Sequence, residues 1–399
     1  MLDEVKGQRS GNQSLLFGLF KADHIGMMSD AVKKNSPWRG SLLDNQTRPG
    51  RLGNPETTLL TDTRLDPRIR TVLEVAGDPF SGVVAPSGMA SYETCLEYCA
   101  AFERIAADGH PIADAAMPNF ETVTSRVEYI TGRDGNQVKL LIHEPKTRSG
   151  PLPCIVHFHG GGMVLMTAED PGFRRWRCAL AESGMVVIGV EFRNGGGRLG
   201  DHPFPAGLND CASAVQWADA SRAALGLNTV VVSGESGGGN LALAVALKAK
   251  QEGWIASIDG VYAMCPYISG AYGAPPADLV SLVENDGYTL DCQMMAAMVR
   301  VYDPNGSEAN NPLAWPYQVT VSELEGLPPH MISVNELDPL RDEGLAYYRM
   351  LCRAGVPVVG RTVHGTQHAG DLGFPDITPE IYEETKRSLI GFAVSLSLK

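Results

Sequence analysis

The sequence predicts a doubly wound α/β fold, in which helices cover both faces of a mostly parallel sheet. After residue 150, short and almost wholly apolar runs alternate with amphipathic stretches of helical period. A continuous apolar strand followed by a helix is typical of a parallel sheet that is buried on both faces. We predict strands at 154–159, 185–192, 229–234, 260–266, 330–336 and 357–363, and helices at 172–183, 207–224, 237–252, 340–354 and 379–395.

The N-terminal part of the chain shows a different pattern. Residues 1 to about 90 are rich in Gly, Pro, Asn and Asp, a composition that predicts loops and short helices. An apolar stripe at helical spacing then predicts a helix over 92–107. Two strand-like stretches, 121–130 and 137–144, flank the turn sequence Arg133–Asn136, and together they predict a β-hairpin.

One connection between predicted strands is too long for a simple crossover. The stretch between 260–266 and 330–336 contains several prolines and glycines. Ligands of open parallel sheets bind at the carboxyl ends of the strands, so an insertion that leaves a strand there can cover the site. We therefore expect one main domain, with a core formed by 116–266 and 326–399 and a helical cap formed by the insertion 267–325 and the N-terminal segment 1–115.

The composition argues against several classes of protein. With 44% apolar and 20% charged residues, the chain of 399 residues can bury a large core. A net charge of −13 without runs of Lys and Arg argues against a nucleic-acid partner. No apolar stretch is long enough to span a membrane, and the N-terminus lacks the pattern of a secretory signal. We therefore expect a cytoplasmic protein.

Metal and cofactor motifs are missing from the sequence. The 8 cysteines are spread singly through predicted strands and helices, which is typical of reduced core cysteines in an intracellular protein. No HExxH pattern or histidine cluster occurs, so we predict no metal. No G-x-G-x-x-G opens a helix after a strand near the start of the fold, so we predict no nicotinamide or flavin cofactor.

The strongest motif is the stretch Gly234–Gly238, with Ser236 at its centre, between a predicted strand and a predicted helix. It matches G-x-S-x-G in the strand–turn–helix context of a nucleophile elbow, and so predicts an α/β-hydrolase fold. Small residues must flank the serine because the turn is sharp and its backbone is strained. The alternatives are a glycine-rich junction that contains serine by chance, and a phosphate-binding loop, which the absence of a following Lys-Ser or Lys-Thr disfavours.

A second glycine-rich stretch, His159-Gly160-Gly161-Gly162, ends an earlier predicted strand. Glycines let the backbone approach a substrate closely and aim N–H groups at it, as in the oxyanion loop of esterases and lipases. We predict that the N–H groups of Gly160, Gly161 and Gly237 bind the tetrahedral intermediate. His159 and Gly162 are expected to support the loop; a simple tight turn is the alternative.

A serine nucleophile needs a base, and the base needs a carboxylate that orients it. In this fold the acid and then the histidine follow the serine along the chain. Asp338 comes just after the strand predicted at 330–336, and His368 just after the one at 357–363. Both lie in loops at the same sheet edge as Ser236, and we predict them to be the acid and the base.

Neighbouring residues are rivals for these two roles. His364 also lies near the end of the last predicted strand, and Glu336 is the nearest rival of Asp338. Two further carboxylates, Asp342 and Glu343, are expected inside the following helix, in structural roles. Glu235 is expected to brace the elbow, with the acid loop as one candidate partner.

These motifs make the chain similar to the hormone-sensitive-lipase group of bacterial esterases. The similarity covers roughly residues 50 to 395 and rests on the stretches 159–162, 191–194, 202–205, 234–240, 281–288 and 335–344. The resemblance implies a triad of Ser236, Asp338 and His368, an oxyanion hole in the HGGG loop, and a cap built from the N-terminal segment and the insertion. The chain departs from the group in having Glu235 where Asp is usual, which concerns substrate preference rather than chemistry.

The function that we expect is hydrolysis of carboxylic esters through an acyl-enzyme. The expected partner is a small-molecule ester with a short or medium acyl group, or a cyclic ester, in a largely apolar pocket. The same triad would serve an amidase, a carbamate hydrolase or a lactonase, so these remain alternatives. A non-catalytic receptor on this fold would lack a member of the triad. The chain is expected to be a monomer or a homodimer.

Overall fold

An eight-stranded sheet runs through the centre of the described residues, which are 48–77, 83–87 and 90–398 of the computed structural model. Its strands lie in the order β1-β2-β4-β3-β5-β6-β7-β8, and all neighbours from β4 to β8 are parallel. The predicted α/β fold with a mostly parallel sheet is confirmed. The strands are β1 Val123–Thr131, β2 Gln137–Pro145, β3 Leu152–Phe158, β4 Val186–Glu191, β5 Leu227–Glu235, β6 Gly260–Met264, β7 His330–Asn335 and β8 Val358–Val363.

The predicted hairpin is the antiparallel edge of this sheet. β1 and β2 pair from Val123 opposite Pro145 to Thr131 opposite Gln137, and Gly135 takes a left-handed conformation in the turn, with φ +80°. β2 then pairs antiparallel with β4, which joins the hairpin to the parallel strands. The loops predicted for residues 1–47 lie outside the described residues.

Helices follow most of the strands, as the amphipathic stretches predict. They are α1 Pro67–Ala76, α2 Tyr92–Asp108, α3 His110–Ala115, α4 Pro171–Glu182, α5 Ala206–Ala220, α6 Arg222–Leu225, α7 Gly237–Gln251, α8 Ser281–Glu284, α9 Cys292–Tyr302, α10 Val321–Leu324, α11 Arg341–Arg353, α12 Gly370–Gly373 and α13 Pro379–Leu396. Short 3-10 helices occupy Gly50–Leu52, Leu59–Thr61, Gly197–Leu199, Ile255–Ser257 and Pro316–Gln318. Among the described residues, none of these helices combines the length and the apolarity needed to cross a membrane.

The helix predicted over 207–224 is two helices in the structure. The backbone leaves helical dihedrals at Ser221, with φ −94° and ψ 6°, between α5 and α6. Gly226, in a left-handed conformation with φ +60°, then turns the chain into β5. A periodicity argument could not see this break because the residues on both sides of it are good helix formers.

The core lies on both faces of the central strands. Every residue of β6 is buried, and so are all residues of β5 except one near its start. α7 is buried over almost its whole length because it packs against both β5 and β6. β1, at the edge, is mostly exposed. The motif-bearing loops at the end of β5 therefore stand on the most rigidly packed part of the sheet.

The insertion after β6 has its own aromatic cluster. The rings of Tyr267 and Tyr272 stack at 4.6 Å, and Trp315 meets Tyr267 and Tyr302 edge-on at 5.8 and 5.5 Å. α9 of the insertion also packs against α2 of the N-terminal segment. These contacts bring the insertion and the N-terminal segment together above the strand ends.

Candidate active site

Ser236 lies in a sharp turn between β5 and α7. Its backbone has φ 57° and ψ −119°, a strained conformation for a residue with a side chain. Two backbone hydrogen bonds hold the turn: the Ser236 N–H donates to Met264 O at 2.9 Å, and Tyr267 N–H donates to Ser236 O at 3.1 Å. A Cβ on Gly238 would lie 2.0 Å from the carbonyl oxygen of Phe158, so only glycine allows this close approach.

The loop after β3 passes directly beside the serine. An added Cβ on Gly160 would lie 3.6 Å from the Cβ of Ser236. The buried ring of His159 stacks on Phe192 at 4.2 Å, and its Nδ1 donates to the carbonyl of Gly160 at 2.8 Å. Burial lowers the pKa of His159 to about 4, so the ring is neutral and holds the shape of the loop.

Glu235 braces the oxyanion loop rather than the acid loop. One of its carboxylate oxygens accepts from the N–H of Gly160 at 3.0 Å, and the other accepts from Nε2 of His157 at 2.9 Å. The N–H of Gly160, which we predict to be an oxyanion donor, is therefore bonded to a buried carboxylate in the structure. Glu235 is expected from the sequence to contact the loop of Asp338, but its carboxylate bonds to Gly160 and His157 instead.

Three other backbone N–H groups remain available in this corner. Those of Gly161, Gly162 and Gly237 donate no hydrogen bond to any of the described residues. An added Cβ on Gly237 would lie only 2.7 Å from the nitrogen of Gly162, so the two stretches of backbone are in contact. Converging free N–H groups next to a serine are the arrangement that stabilises an oxyanion.

Asp338 and His368 lie at the ends of β7 and β8 and form a hydrogen-bonded pair. The Nδ1 of His368 donates to one carboxylate oxygen of Asp338 at 2.8 Å, and the other oxygen accepts from Leu340 N–H at 2.9 Å. Asp338 is fully buried. His368 and Ser236 line the same cavity without a hydrogen bond between them, and catalytic hydrogen bonds of this kind often tighten only when substrate binds.

The pKa of His368 reflects two opposing effects. Burial by itself would lower it, but the carboxylate of Asp338 raises the pKa well above its ordinary value because it stabilises the imidazolium. Cys265, after β6, also faces this histidine and raises its pKa.

Donor atoms of Cys265, Asp338 and His368 lie within 4.8 Å of one another, and this is the one set among the described residues that is compact enough to bind a metal ion. Two of its three members are already bonded to each other.

The rival residues form contacts of their own, away from the cavity. His364 is 76% exposed at its side chain, and its Nδ1 lies 3.2 Å from a carboxylate oxygen of Glu336. Asp342 accepts from the N–H of Ser281 at 2.8 Å. Glu343 accepts from Ile268 N–H at 2.7 Å and from a tyrosine hydroxyl, and burial raises its pKa to about 7. None of these four side chains lines the cavity around the serine.

A cavity of about 480 Å³ opens above Ser236 and His368. Glu235 and His368 are the only carboxylate and basic side chains among the described residues that line it. Most of the other lining side chains are apolar and come from α1, α2, α4, α9 and nearby loops: Val72, Leu73, Phe102, Leu165, Met166, Phe173, Leu290, Met294, Met295, Met298 and Phe374.

The sequence predicts a largely apolar pocket but does not identify the residues that line it. Met294, Met295 and Met298 recur at near-helical spacing in the insertion, and this amphipathic pattern could have identified α9 as a helix with one face toward a binding site. Nothing comparable distinguishes Phe102 on α2 from an ordinary core residue.

Strained backbone is concentrated around this cavity. Six non-glycine residues of the described chain have a positive φ: Met163, Met166, Ser236, Cys265, Thr289 and Ala369. Four of them line the cavity, one follows Gly162, and Cys265 faces His368. Such conformations cost about 1–3 kcal/mol each and persist where the surrounding packing enforces them, as it does at active sites.

Comparisons with known proteins agree with this geometry. A family model described as the alpha/beta hydrolase fold matches residues 155–371. Esterase LipI of Mycobacterium tuberculosis is 32% identical over 248 residues, which are 61% of this chain and 73% of that protein. Carboxylesterase NlhH of the same organism is 30% identical over 300 residues, or 71% of this chain and 89% of that protein.

Solved structures are similar over most of the chain. Brefeldin A esterase, described as a bacterial homologue of human hormone-sensitive lipase, is 43% identical with a TM-score of 0.83 and covers 88% of this chain and 99% of its own. Esterase Est22 is 37% identical with a TM-score of 0.76 and covers 84% and 98%. The chain therefore belongs to the α/β-hydrolase family, among the carboxylesterases related to hormone-sensitive lipase.

Proposed function

We propose that this protein hydrolyses small, neutral carboxylic esters through an acyl-enzyme on Ser236. One observation carries the proposal: His368, which is hydrogen-bonded to Asp338, and the strained Ser236 line the same apolar cavity. A serine hydroxyl is a weak nucleophile on its own, and a neighbouring imidazole that is held by a carboxylate is what activates it.

In the proposed first step, the Oγ of Ser236 attacks the ester carbonyl carbon while Nε2 of His368 takes the hydroxyl proton. Asp338 stabilises the resulting imidazolium through its bond to Nδ1. The tetrahedral intermediate collapses, the C–O bond to the alcohol breaks, and His368 returns the proton to the leaving oxygen. Water then loses a proton to His368 and attacks the carbonyl of the acyl-enzyme. When the C–O bond to Ser236 breaks, His368 returns that proton to the serine Oγ, which releases the acid and regenerates Ser236.

We propose that Gly161 and Gly237 donate to the oxyanion, with Gly162 in the place predicted for Gly160. The contact between Gly160 and Glu235 supports this assignment, because a donor that is bonded to a buried carboxylate would have to break that bond first. The Glu235 carboxylate thus acts as a brace that leaves the next two N–H groups facing the cavity.

The cavity also suggests the substrate class. Its volume of about 480 Å³ and its apolar walls favour a neutral ester with short or medium chains, or a cyclic ester. We propose that α1 and α2 of the N-terminal segment and α9 of the insertion act as the cap of this cavity, since each supplies lining side chains. An anionic substrate would meet Glu235 and no arginine or lysine among the described lining residues.

The decisive experiment compares wild type with Ser236→Ala on p-nitrophenyl acetate and tests labelling by a fluorophosphonate probe. Wild type is expected to hydrolyse the ester and to be labelled, and Ser236→Ala to lose both, because the variant lacks the Oγ that forms the acyl-enzyme. Hydrolysis at the wild-type rate by Ser236→Ala would sink the proposal. A panel of acyl chain lengths, lactones and amides, compared by kcat/KM, then separates an esterase from a lactonase or an amidase.

A further inference from the structure

The loop that carries Asp338 is held by a side chain from the insertion. The amide Nδ2 of Asn285 donates to the carbonyl oxygen of Glu336 at 3.2 Å and to that of Asp338 at 3.1 Å. Asn285 is fully buried, just after α8. Arg341 adds a third bond, from its guanidinium to Glu336 O at 3.0 Å. Both carbonyls that flank the turn of the acid loop are therefore fixed from outside it.

Asn285 is itself held by the N-terminal segment. Its Oδ1 accepts from the guanidinium of Arg64 at 3.1 Å, across 221 residues of sequence. The guanidinium of Arg64 donates two hydrogen bonds to the carboxylate of Asp62, at 3.0 and 2.7 Å, and one to Glu284 at 2.5 Å. A planar guanidinium with several donors can make these bonds at once, which a lysine cannot.

This network joins two arginines to three carboxylates, because Arg341 also donates to Asp342 at 3.0 Å. Glu284 accepts from Arg64 and also from Arg341, at 2.9 and 2.8 Å. Burial alone would raise the pKa of Glu284, but Arg341 and Arg64 hold it below its ordinary value, so the carboxylate stays ionised. A buried ion network of this kind adds little net stability over well-packed apolar residues, and its best-attested use is to fix one arrangement of chain segments.

We propose that Arg64 and Asn285 are positioning residues for the catalytic acid, an inference that rests on the proposed function. The carboxylate of Asp338 is shared between Leu340 N–H and His368, so its direction follows the backbone of its loop. Asn285 fixes that backbone and Arg64 fixes Asn285. The N-terminal segment and the insertion thereby set the alignment of the acid with the base, in addition to lining the cavity.

The test uses the full chain with Asn285→Ala, Arg64→Met and Arg64→Lys. A misplacement of catalytic groups by about 1 Å can cost about 100-fold, so we expect Asn285→Ala and Arg64→Met to lower kcat by about 10- to 100-fold. KM should stay within about twofold, because neither residue lines the cavity. Arg64→Lys keeps the charge beside Glu284 and should fall between wild type and Arg64→Met.

The pH profile provides a readout that a purely structural role would not change. If Asp338 is displaced, the imidazolium of His368 loses stabilisation, so the acid limb of kcat/KM should move to lower pH. Cys265, the other titratable group that faces His368 in the described chain, is unchanged in these variants.

Arg222→Met is the matched control. Arg222 also bridges two carboxylates, Asp219 at 2.6 Å and Asp259 at 2.7 Å. It lies before the start of β5, whereas Ser236 follows the end of that strand. This variant is expected to lower the melting temperature without changing kcat or the acid limb. If Asn285→Ala does the same, or raises KM alone, the positioning inference is overturned.

Two measurements distinguish a failure of the positioning inference from a failure of the proposed function. Ser236→Ala and fluorophosphonate labelling are measured alongside the variants, so activity that survives Ser236→Ala would overturn both proposals. Activity that needs Ser236 but is indifferent to Asn285 would overturn only this one. If Asn285→Ala does not fold, Arg64→Lys decides, since a wild-type kcat and acid limb in that variant contradict the inference.

Discussion

Ser236 is held by its own strand, turn and helix, whereas Asp338 is held by side chains that lie far from it along the chain. On the nucleophile side, glycines pack against backbone carbonyls, and two backbone hydrogen bonds close the turn. On the acid side, Asn285 lies 53 residues from Asp338, and Arg64 lies a further 221 residues from Asn285. Backbone sterics thus fix the position of Ser236, whereas long-range polar contacts fix the loop of Asp338.

The difference suggests that the two halves respond differently to substitution. Where glycine is required by contact with backbone, a single methyl group displaces the loop, because the opposing carbonyl cannot move away. Where polar side chains hold a loop, a substitution leaves the fold in place but loosens the alignment. Substitutions on the two sides test this contrast.

The largest effect on activity is expected from Asp338→Asn. The amide presents a neutral and differently bonded partner to Nδ1 of His368, so the imidazolium loses its support and kcat should fall by about 10³–10⁴-fold. The measurement is kcat on p-nitrophenyl acetate, with His364→Ala as the exposed control, which should keep wild-type activity. A larger loss in His364→Ala than in Asp338→Asn would exchange the roles of the two histidines.

Gly161→Ala tests the steric control of the nucleophile side. The new Cβ would lie 2.1 Å from the carbonyl oxygen of Leu165, at a residue with φ +98°, so the loop must shift and its N–H must turn away from the oxyanion. We expect kcat to fall by about 10²–10³-fold. Gly172→Ala, where a Cβ meets nothing within 4 Å, should leave kcat unchanged, and equal losses in both variants would contradict the steric argument.

Glu235→Ala tests a side chain that braces the loop beside the nucleophile. The variant leaves the Gly160 N–H and the His157 ring without their partners in a buried place, which costs about 1–3 kcal/mol. We expect kcat to fall by about tenfold and the melting temperature to drop. Glu235→Gln keeps an acceptor for the Gly160 N–H, so its kcat and melting temperature should lie close to those of wild type. If both values equal those of Glu235→Ala, the charge of Glu235 rather than its hydrogen bonds explains its role.

Glu343→Gln is expected to change stability rather than activity. Burial raises the pKa of Glu343 from 4.5 to about 7 in the folded protein, so the folded state binds its proton more tightly than the unfolded state does. Its contribution to stability is complete below about pH 4.5 and is lost as pH rises to about 7, on the order of 3 kcal/mol. Glutamine cannot ionise, so the variant should flatten the dependence of melting temperature on pH between 5 and 8. An unchanged slope would show that Glu343 titrates near its ordinary pKa.

Much of the nucleophile side could be predicted because its signals are local. The positions of Ser236, His159 and the neighbouring glycines follow from a strand, a turn and a helix that are consecutive in sequence. Asp338 and His368 could be chosen from their order along the chain and their places after strands, although their rivals could be set aside only when the structure showed Glu336 and His364 paired with each other at the surface.

The hydrogen bond of the Gly160 N–H to Glu235 could not be predicted from the sequence. This N–H has the same sequence context as that of Gly161, and what separates them is the carboxylate of Glu235, which reaches back from another strand. The direction of that side chain depends on how β3 and β5 pair, and no spacing within either motif encodes it.

By itself, the sequence determined the α/β fold, the elbow serine and the glycine loop beside it. Strand and helix periodicity and glycine sterics act over a few residues, so they can be read along the chain. Only the tertiary structure decided which N–H groups are free, which side chains line the cavity and what holds the acid loop. Those properties depend on segments such as 62–64 and 281–288 meeting across the strand ends, and such long-range packing leaves no local pattern.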